Sequence, residues 1–280
     1  MPLTDEPVRG QQILEPKAEM LRLWSVTTLI KLGLGTSDPL VNWAVNTTAE
    51  FAYDKRKAWS ELERDDALDL IKRAHYRKSG AAMARGTNLH KAAESLALGI
   101  VPPEVDKVTR PYVEQYRRFL DEHAPTFLMA EAPVYEPDLG FAGTLDSIME
   151  LGGKVVIGDT KTTEHGPDSG RSRPPFAETA LQLVGYRHAK WVGVLSEQRY
   201  ASGKRYYLYD PDAQHEPMPQ TEGAVCVVVS PFDYQVIPVR TDGVVWNAFR
   251  HVMEAARWQV ETSRSVFGPP ITASRANPSR

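Results

Sequence analysis

The stretch "GTLDSIMELGGKVVIGDTKTT", residues 143–163, decides how this chain reads. Two strand-like runs flank Gly152-Gly153, a two-residue hairpin signal, because both glycines accept the positive φ of a type I′ turn. With that turn Leu151 faces Lys154, and a constant pair sum then sets Asp146 opposite Asp159. Alternation with period two puts Lys161 on the same face. Strand interiors disfavour Asp and Lys, and opposed like charges with Cβ atoms roughly 4.5–5.5 Å apart are destabilising. The neighbours Ile148, Val155 and Ile157 are apolar, so the pair calls for a shared proton or a bound cation. Oxygen ligands without a cysteine or histidine cluster suit Mg²⁺ or Mn²⁺ rather than structural zinc. The plain alternative is a solvated strand face with incidental charges.

Composition sets the outer limits. With 280 residues the chain has room for one large domain or two modest ones. A net charge of −3 gives no general attraction for nucleic acid, so local patches must supply it. The single cysteine, Cys226 in "AVCVVVS", reads as a buried packing residue and excludes both a disulfide framework and a Cys₄ cluster. No run approaches the ~20 apolar residues of a membrane span. The start, "MPLTDEPVRG", lacks a signal-peptide pattern, so a cytoplasmic protein without membrane contact is expected.

Working outward, residues 1–20 are polar and read as disordered, as does the tail 264–280. Between them lies a single domain, 21–263, with a helical elaboration over about 21–125 and a strand-rich core over about 126–263. "WSVTTLIKLGLGTSDPLVNWAVNTTAEFAYDKRKAW" reads as a leading segment and short helices. The next stretch reads as two helices broken near Ser79-Gly80 and ended by Gly99. A helix is expected at 108–123, then strands at 128–136, 141–151 and 154–162. A polar loop follows over 164–175, then a helix at 176–194, strands at 204–210, 223–230 and 233–240, and a last helix at 243–262. The fold class is therefore α/β (α+β), a mixed, largely antiparallel sheet flanked by helices.

"GTLD" followed by "GDTKTT" resembles the PD-(D/E)XK nuclease superfamily, in which a G-x-x-D strand precedes a strand ending in (D/E)-x-K. "QLVGY" matches its Q-x-x-x-Y helix through Gln182 and Tyr186. "GTNLHKAAE" is similar to the G-x-x-x-H motif of the RecB-like branch through His90, and "WSVTTLI" to its S-x-T opening. The four motifs occur in the expected order over about residues 24–190. The nearest likeness is to phage and CRISPR-associated exonucleases. The resemblance implies a restriction-endonuclease-like core and a metal-dependent DNA exonuclease acting on free ends in recombination, repair or phage DNA processing. A recombination partner protein and a host cytoplasm belong to the same implication. Many such relatives bind an iron–sulfur cluster through four cysteines, which one cysteine cannot carry over.

By the resemblance, His90, Asp146, Asp159 and the backbone carbonyl of Thr160 hold Mg²⁺ or Mn²⁺. Lys161 orients the attacking water or stabilises charge, with a pKa lowered by burial if it acts as base. Glu94, four residues after His90, shares its helix face and either packs near the site, pairs with a base or ligates. Glu131 is either a supporting or substrate-contacting group or a solvated edge charge. Gln182 and Tyr186 are one turn apart, able to brace Lys161 or touch a phosphate, or else pack at the core edge. For DNA the candidates are Lys72, Arg73, Tyr76, Arg77, Lys78, Arg85, Arg117, Arg118 and the loop residues Arg171 and Arg173. Competing functions are a structure- or sequence-specific endonuclease and a non-catalytic DNA-binding protein on a nuclease fold. A glycosidase using both aspartates fits less well, because hairpin-opposed carboxylates are too close for inversion and leave Lys161 without a task.

Overall fold

A computed structural model describes residues 20–35, 38–166, 175–193, 195–199 and 205–270. The chain opens with β1 (Leu21–Ser25), α1 (Val26–Leu34), α2 (Asp38–Asp54), α3 (Arg64–Lys72), α4 (Ala74–Ala97) and α5 (Arg110–His123). The central strands β2 (Thr126–Glu136), β3 (Phe141–Leu151) and β4 (Lys154–Thr162) follow, then α6 (Glu178–Arg187). After them come β5 (Trp191–Val192), β6 (Ser196–Arg199), β7 (Arg205–Tyr209), β8 (Glu216–Pro217), β9 (Gly223–Val229) and β10 (Tyr234–Val239). The last helix is α7 (Gly243–Arg257), continued by a π turn over Trp258–Thr262.

The fold is α+β, with one mixed, largely antiparallel sheet between two helical layers. Its main path runs β10-β9-β4-β3-β1-β7-β6, and β2, β5 and β8 branch from β3. Only β1 with β3 and β4 with β9 run parallel among the described pairs. On one face Ile148, Ile157 and Ala224 pack with Val26, Leu29 and Ile30 of α1, Leu183 and Val184 of α6, and Phe249 and Met253 of α7. On the other face Met149, Val156, Val225 and Val227 meet Leu89 and Ala93 of α4 and Tyr116 and Phe119 of α5. Adjacent residues of one strand thus feed different cores, as the pleat requires.

Local chemistry accounts for the element ends. Ser25 caps α1 by accepting the Thr28 N–H (3.3 Å) and also bonds the Thr27 hydroxyl (2.7 Å). Capping is therefore the work of the S-x-T stretch here. Asp242 caps α7 through the N–H groups of Val244 and Val245. Gly152 and Gly153 take φ of 58° and 77°, and Leu151 pairs with Lys154, as the hairpin reading requires. Gly99, at φ 69°, follows α4 and donates to Leu96 O.

Three expectations are corrected. The helix break falls at Arg73, not Ser79-Gly80, which sit inside α4, where the Ser79 hydroxyl bonds back to Tyr76 O (3.0 Å). The helix expected over 176–194 stops at Arg187, because Lys190 and Gly193 donate to Tyr135 O and Pro133 O and draw the chain onto the β2 edge. The leading segment is strand β1, paired with β3 on one side and β7 on the other.

A fork in the sheet as candidate metal centre

The site grows from a gap in the sheet. Strand β2 occupies one edge of β3 along its length, from Thr126↔Glu150 to Glu136↔Phe141. On the other edge β4 pairs only from Leu151↔Lys154 to Ser147↔Gly158, and β1 takes over at Ala142 and Phe141. Residues 143–146 lie in the fork between them. The Asp146–Asp159 pair that the hairpin count places next does not form. Instead Asp146 Oδ2 accepts the Thr160 N–H at 2.7 Å. Two opposed carboxylates repel, and a charge-assisted bond to a backbone donor relieves one of them. An extended residue directs its N–H and C=O to the same edge, so the Thr160 carbonyl also faces the fork.

Alternation fails at the same place. Leu145 and Ile148, three residues apart, share one core, and so do Met129 and Ala132 on β2. Each strand therefore slips by one residue between those positions, within which lie Asp146 and Glu131. The flanking pairs Ala130↔Ser147 and Ala132↔Leu145 put Glu131 across from Asp146. Glu131 has φ 47°, a left-handed backbone that non-glycine residues adopt rarely and that collects at functional sites.

Helix α4 completes the group. His90 Nδ1 lies 3.5 Å from Glu131 Oε1 and 3.4 Å from Asp146 Oδ2. One ligand atom from each of His90, Glu131 and Asp146 can be chosen so that all lie within 4.8 Å of one another. The cleft between them encloses about 10 Å³, room for a water or a single ion, and Glu94, Tyr116, Phe127 and Thr160 also line it. Burial pushes the Asp146 carboxyl up, to about 6, with Asp159 adding to the rise while His90 opposes it. For His90 burial works downward, but its bond to Glu131 and the charges of Asp146 and Glu131 outweigh it and raise the ring to about 9. Burial and the nearby Asp146 charge also raise the Tyr116 hydroxyl.

Asp159 stands beside this group but alternates with Thr160, which lines the cleft, so the single face expected for Asp146, Asp159 and Lys161 is not formed. Asp159 is buried, with Oδ1 on Lys161 Nζ (2.7 Å) and Oδ2 accepting from Cys226 Sγ (3.6 Å), its parallel partner on β9. The lowered lysine expected of a general base is not found. Burial works against the ammonium, but Asp159 and Asp146 outweigh it and hold Lys161 above its ordinary value. Gln182 Nε2 donates to the Tyr186 hydroxyl (3.1 Å), and Tyr186 belongs to the core rather than contacting Lys161. Its ring covers Gly143 so closely that a Cβ there would stand 2.5 Å from Cε1. Gly143→Ala should therefore destabilise the fold by about 1–3 kcal/mol through overpacking, read as a lower urea midpoint. A midpoint within error of wild type would show that the fork does not depend on this contact.

Of the proposed DNA contacts, several are engaged internally. Arg85 pairs with Glu164 (3.1 Å), Arg73 with Asp69 (2.9 Å), and Arg118 with Glu122 and Asp233 (2.7 Å each), while Arg77 donates to Leu70 O (2.8 Å). Arg171 and Arg173 lie outside the described residues. Sequence reasoning left Glu131 between two roles, because nothing in alternation predicts a left-handed residue in mid-strand. It gave no part to Tyr116, and it read Cys226 as packing only, although the register Asp159↔Cys226 links that thiol to the D-x-K strand. No helix among the described residues is long and apolar enough to cross a membrane. The chain matches no model of a known protein family and no curated protein, so a functional reading rests on the geometry of the fork.

Proposed function

We propose that this chain is a divalent-metal-dependent nuclease that hydrolyses DNA from free ends, in the manner of the PD-(D/E)XK superfamily that its motifs resemble. One observation carries the reading: His90, Glu131 and Asp146 converge within 4.8 Å where β3 and β4 part, with the Lys161 ammonium nearby. One imidazole and two carboxylates suit Mn²⁺ or Mg²⁺. A cation would also offset the burial, and with it the Asp159 repulsion, that lifts Asp146. His90, Glu131, Asp146 and the Thr160 carbonyl would hold the ion. When bound, it supplies an acidified water and charge neutralisation at a phosphate. Lys161 contributes a fixed positive charge for the developing phosphorane, and Asp159 orients that ammonium. Tyr116 and Phe127 wall the cleft from bulk water.

The deciding experiment is digestion of end-labelled linear duplex, single-stranded and closed circular DNA with Mg²⁺, Mn²⁺ or EDTA. Cleavage of linear DNA that spares circles and stops in EDTA is expected. Cut circles point to an endonuclease, and no cleavage under any condition removes the catalytic reading. Mn²⁺ should serve at least as well as Mg²⁺, because imidazole favours the softer ion.

The pKa values add a second expected result. With the ring raised to about 9, His90 is charged at pH 7 and must lose a proton before a nitrogen can bind metal. Mn²⁺ uptake at pH 7 should release protons, and affinity should rise with pH toward about 9. Without metal the raised histidine stabilises the fold fully below 6.5 and loses that contribution as pH rises through about 9. Asp146, raised to about 6, likewise favours the fold below 3.8 and ceases to as pH passes about 6. Calorimetry in two buffers of different ionisation enthalpy measures the release. Equal heats in both return His90 to the role of a packed helix residue.

A further inference from the structure

Helix α4 continues past the fork, and the stripe that carries His90 is not covered along it. Tyr76, Met83 and His90 are spaced by sevens, which keeps them within a narrow sector of one helix face. Tyr76 is 67% exposed and Met83 72%. The Tyr76 ring is propped by His75 (centroids 4.0 Å apart), itself tied to Thr48 of α2 (3.3 Å). Between Met83 and His90 on the same side lies Gly86, a residue that weakens a helix interior. No contact among the described residues requires it, since an added Cβ would meet only Thr162 Oγ1, at 3.9 Å. The charge on this stretch is one-sided. Residues 70–93 contain six Lys and Arg and no Asp or Glu, in a chain whose net charge is −3. Lys72 stands exposed just before the upper end of the stripe.

We propose that a single DNA strand lies along this face of α4, its bases stacked on Tyr76 and against Met83, its phosphates near Lys72, and its end led past Gly86 into the fork. Bases are available for stacking on a side chain only when unpaired, so the exposed aromatic and thioether select a single strand over a duplex. The roughly 21 Å of helix from Tyr76 to His90 accommodates an extended segment of a few nucleotides. A glycine at the point of entry lets a backbone approach the helix closely, and the exposed Lys72 supplies complementary charge. The inference rests on the nuclease reading only for where the strand leads, since binding to the stripe needs no metal.

The test uses the full chain in EDTA and reads fluorescence anisotropy of a labelled dT₁₅ strand and of a 15-base-pair duplex. The wild type should prefer dT₁₅. Tyr76→Ala should weaken dT₁₅ binding about tenfold and duplex binding less than twofold. Lys72→Ala should lower the slope of log K against log salt by about 0.7. Gly86→Ala, whose Cβ would meet only Thr162 Oγ1 at 3.9 Å, should weaken dT₁₅ binding as well. Equal affinity for duplex, or a Tyr76→Ala variant within twofold of wild type for dT₁₅, overturns the proposal and gives the face to another occupant. Hydrolysis is read separately, in Mn²⁺. A wild type that binds dT₁₅ through Tyr76 yet never cuts it overturns the nuclease reading and leaves the strand track standing. Cleavage by a protein whose dT₁₅ binding ignores Tyr76 overturns the track alone.

Discussion

Asp146→Asn should lower Mn²⁺-dependent cleavage of linear DNA by more than about 10³-fold, since a bound ion contributes several kcal/mol to such a step. The substitution isolates charge from structure. An asparagine oxygen can still accept the Thr160 N–H that Asp146 holds at 2.7 Å, so the fork keeps its backbone contact. Asp146 carries an ionisation cost from burial, so the metal-free variant should melt no lower than wild type at pH 7.5. Glu131→Gln should follow Asp146→Asn in weakening Mn²⁺ binding, because both carboxylates face His90 Nδ1. Asp159→Asn should disturb metal binding least of the three, since its oxygens are on Lys161 and Cys226. Calorimetric Mn²⁺ titration of the three variants ranks them. If Asp159→Asn alone loses the ion, the ligand set inferred from the hairpin count is right and the cluster around Glu131 is not the metal site.

That contrast marks where the sequence was legible. Gly152-Gly153 fixed the hairpin and its register because turn chemistry is local, needing only two residues that accept positive φ. The two-core alternation of Ile148 against Met149 and of Ile157 against Val156 was readable for the same reason. The failure begins at Ser147↔Gly158, the last rung of the β3–β4 ladder. Beyond it β4 follows its parallel partner β9, from Val156↔Gly223 to Thr162↔Val229, and β1 arrives from far back in the chain to claim the vacated edge. Neither partner is visible from the hairpin itself. The left-handed Glu131 is hidden in the same way, because its backbone answers to the matched break in alternation on β2 and β3 and not to its own propensity. His90 and Lys161 were found through motif spacing, but the raised state of Lys161 depends on which way Asp159 turns. Only the packed sheet decides that.

Lys161→Met should reduce cleavage by about 10²–10³-fold, the usual cost of removing one preorganised charge from a transition state, while Mn²⁺ affinity stays near wild type. Two roles for this lysine lead to different results. A general base must be neutral near working pH, which requires a lowered pKa. Here Lys161 is bonded to the buried Asp159 at 2.7 Å, and Asp159 and Asp146 overcome the burial that would neutralise it. On the proposed reading it therefore stays charged at working pH, and its part would be electrostatic. Lys161→Arg should then keep a measurable share of the rate, because guanidinium supplies the same sign of charge although its fork is a poorer fit beside one carboxylate oxygen. The pH–rate profile of the wild type should show the ionisations of the His90–Glu131–Asp146 group and none that Lys161→Arg shifts. An arginine variant as inactive as the methionine one, with Mn²⁺ binding intact in both, would show that the proton on Nζ moves in the reaction. Lys161 would then be the base, and the Asp159 bond would have to open before each turnover.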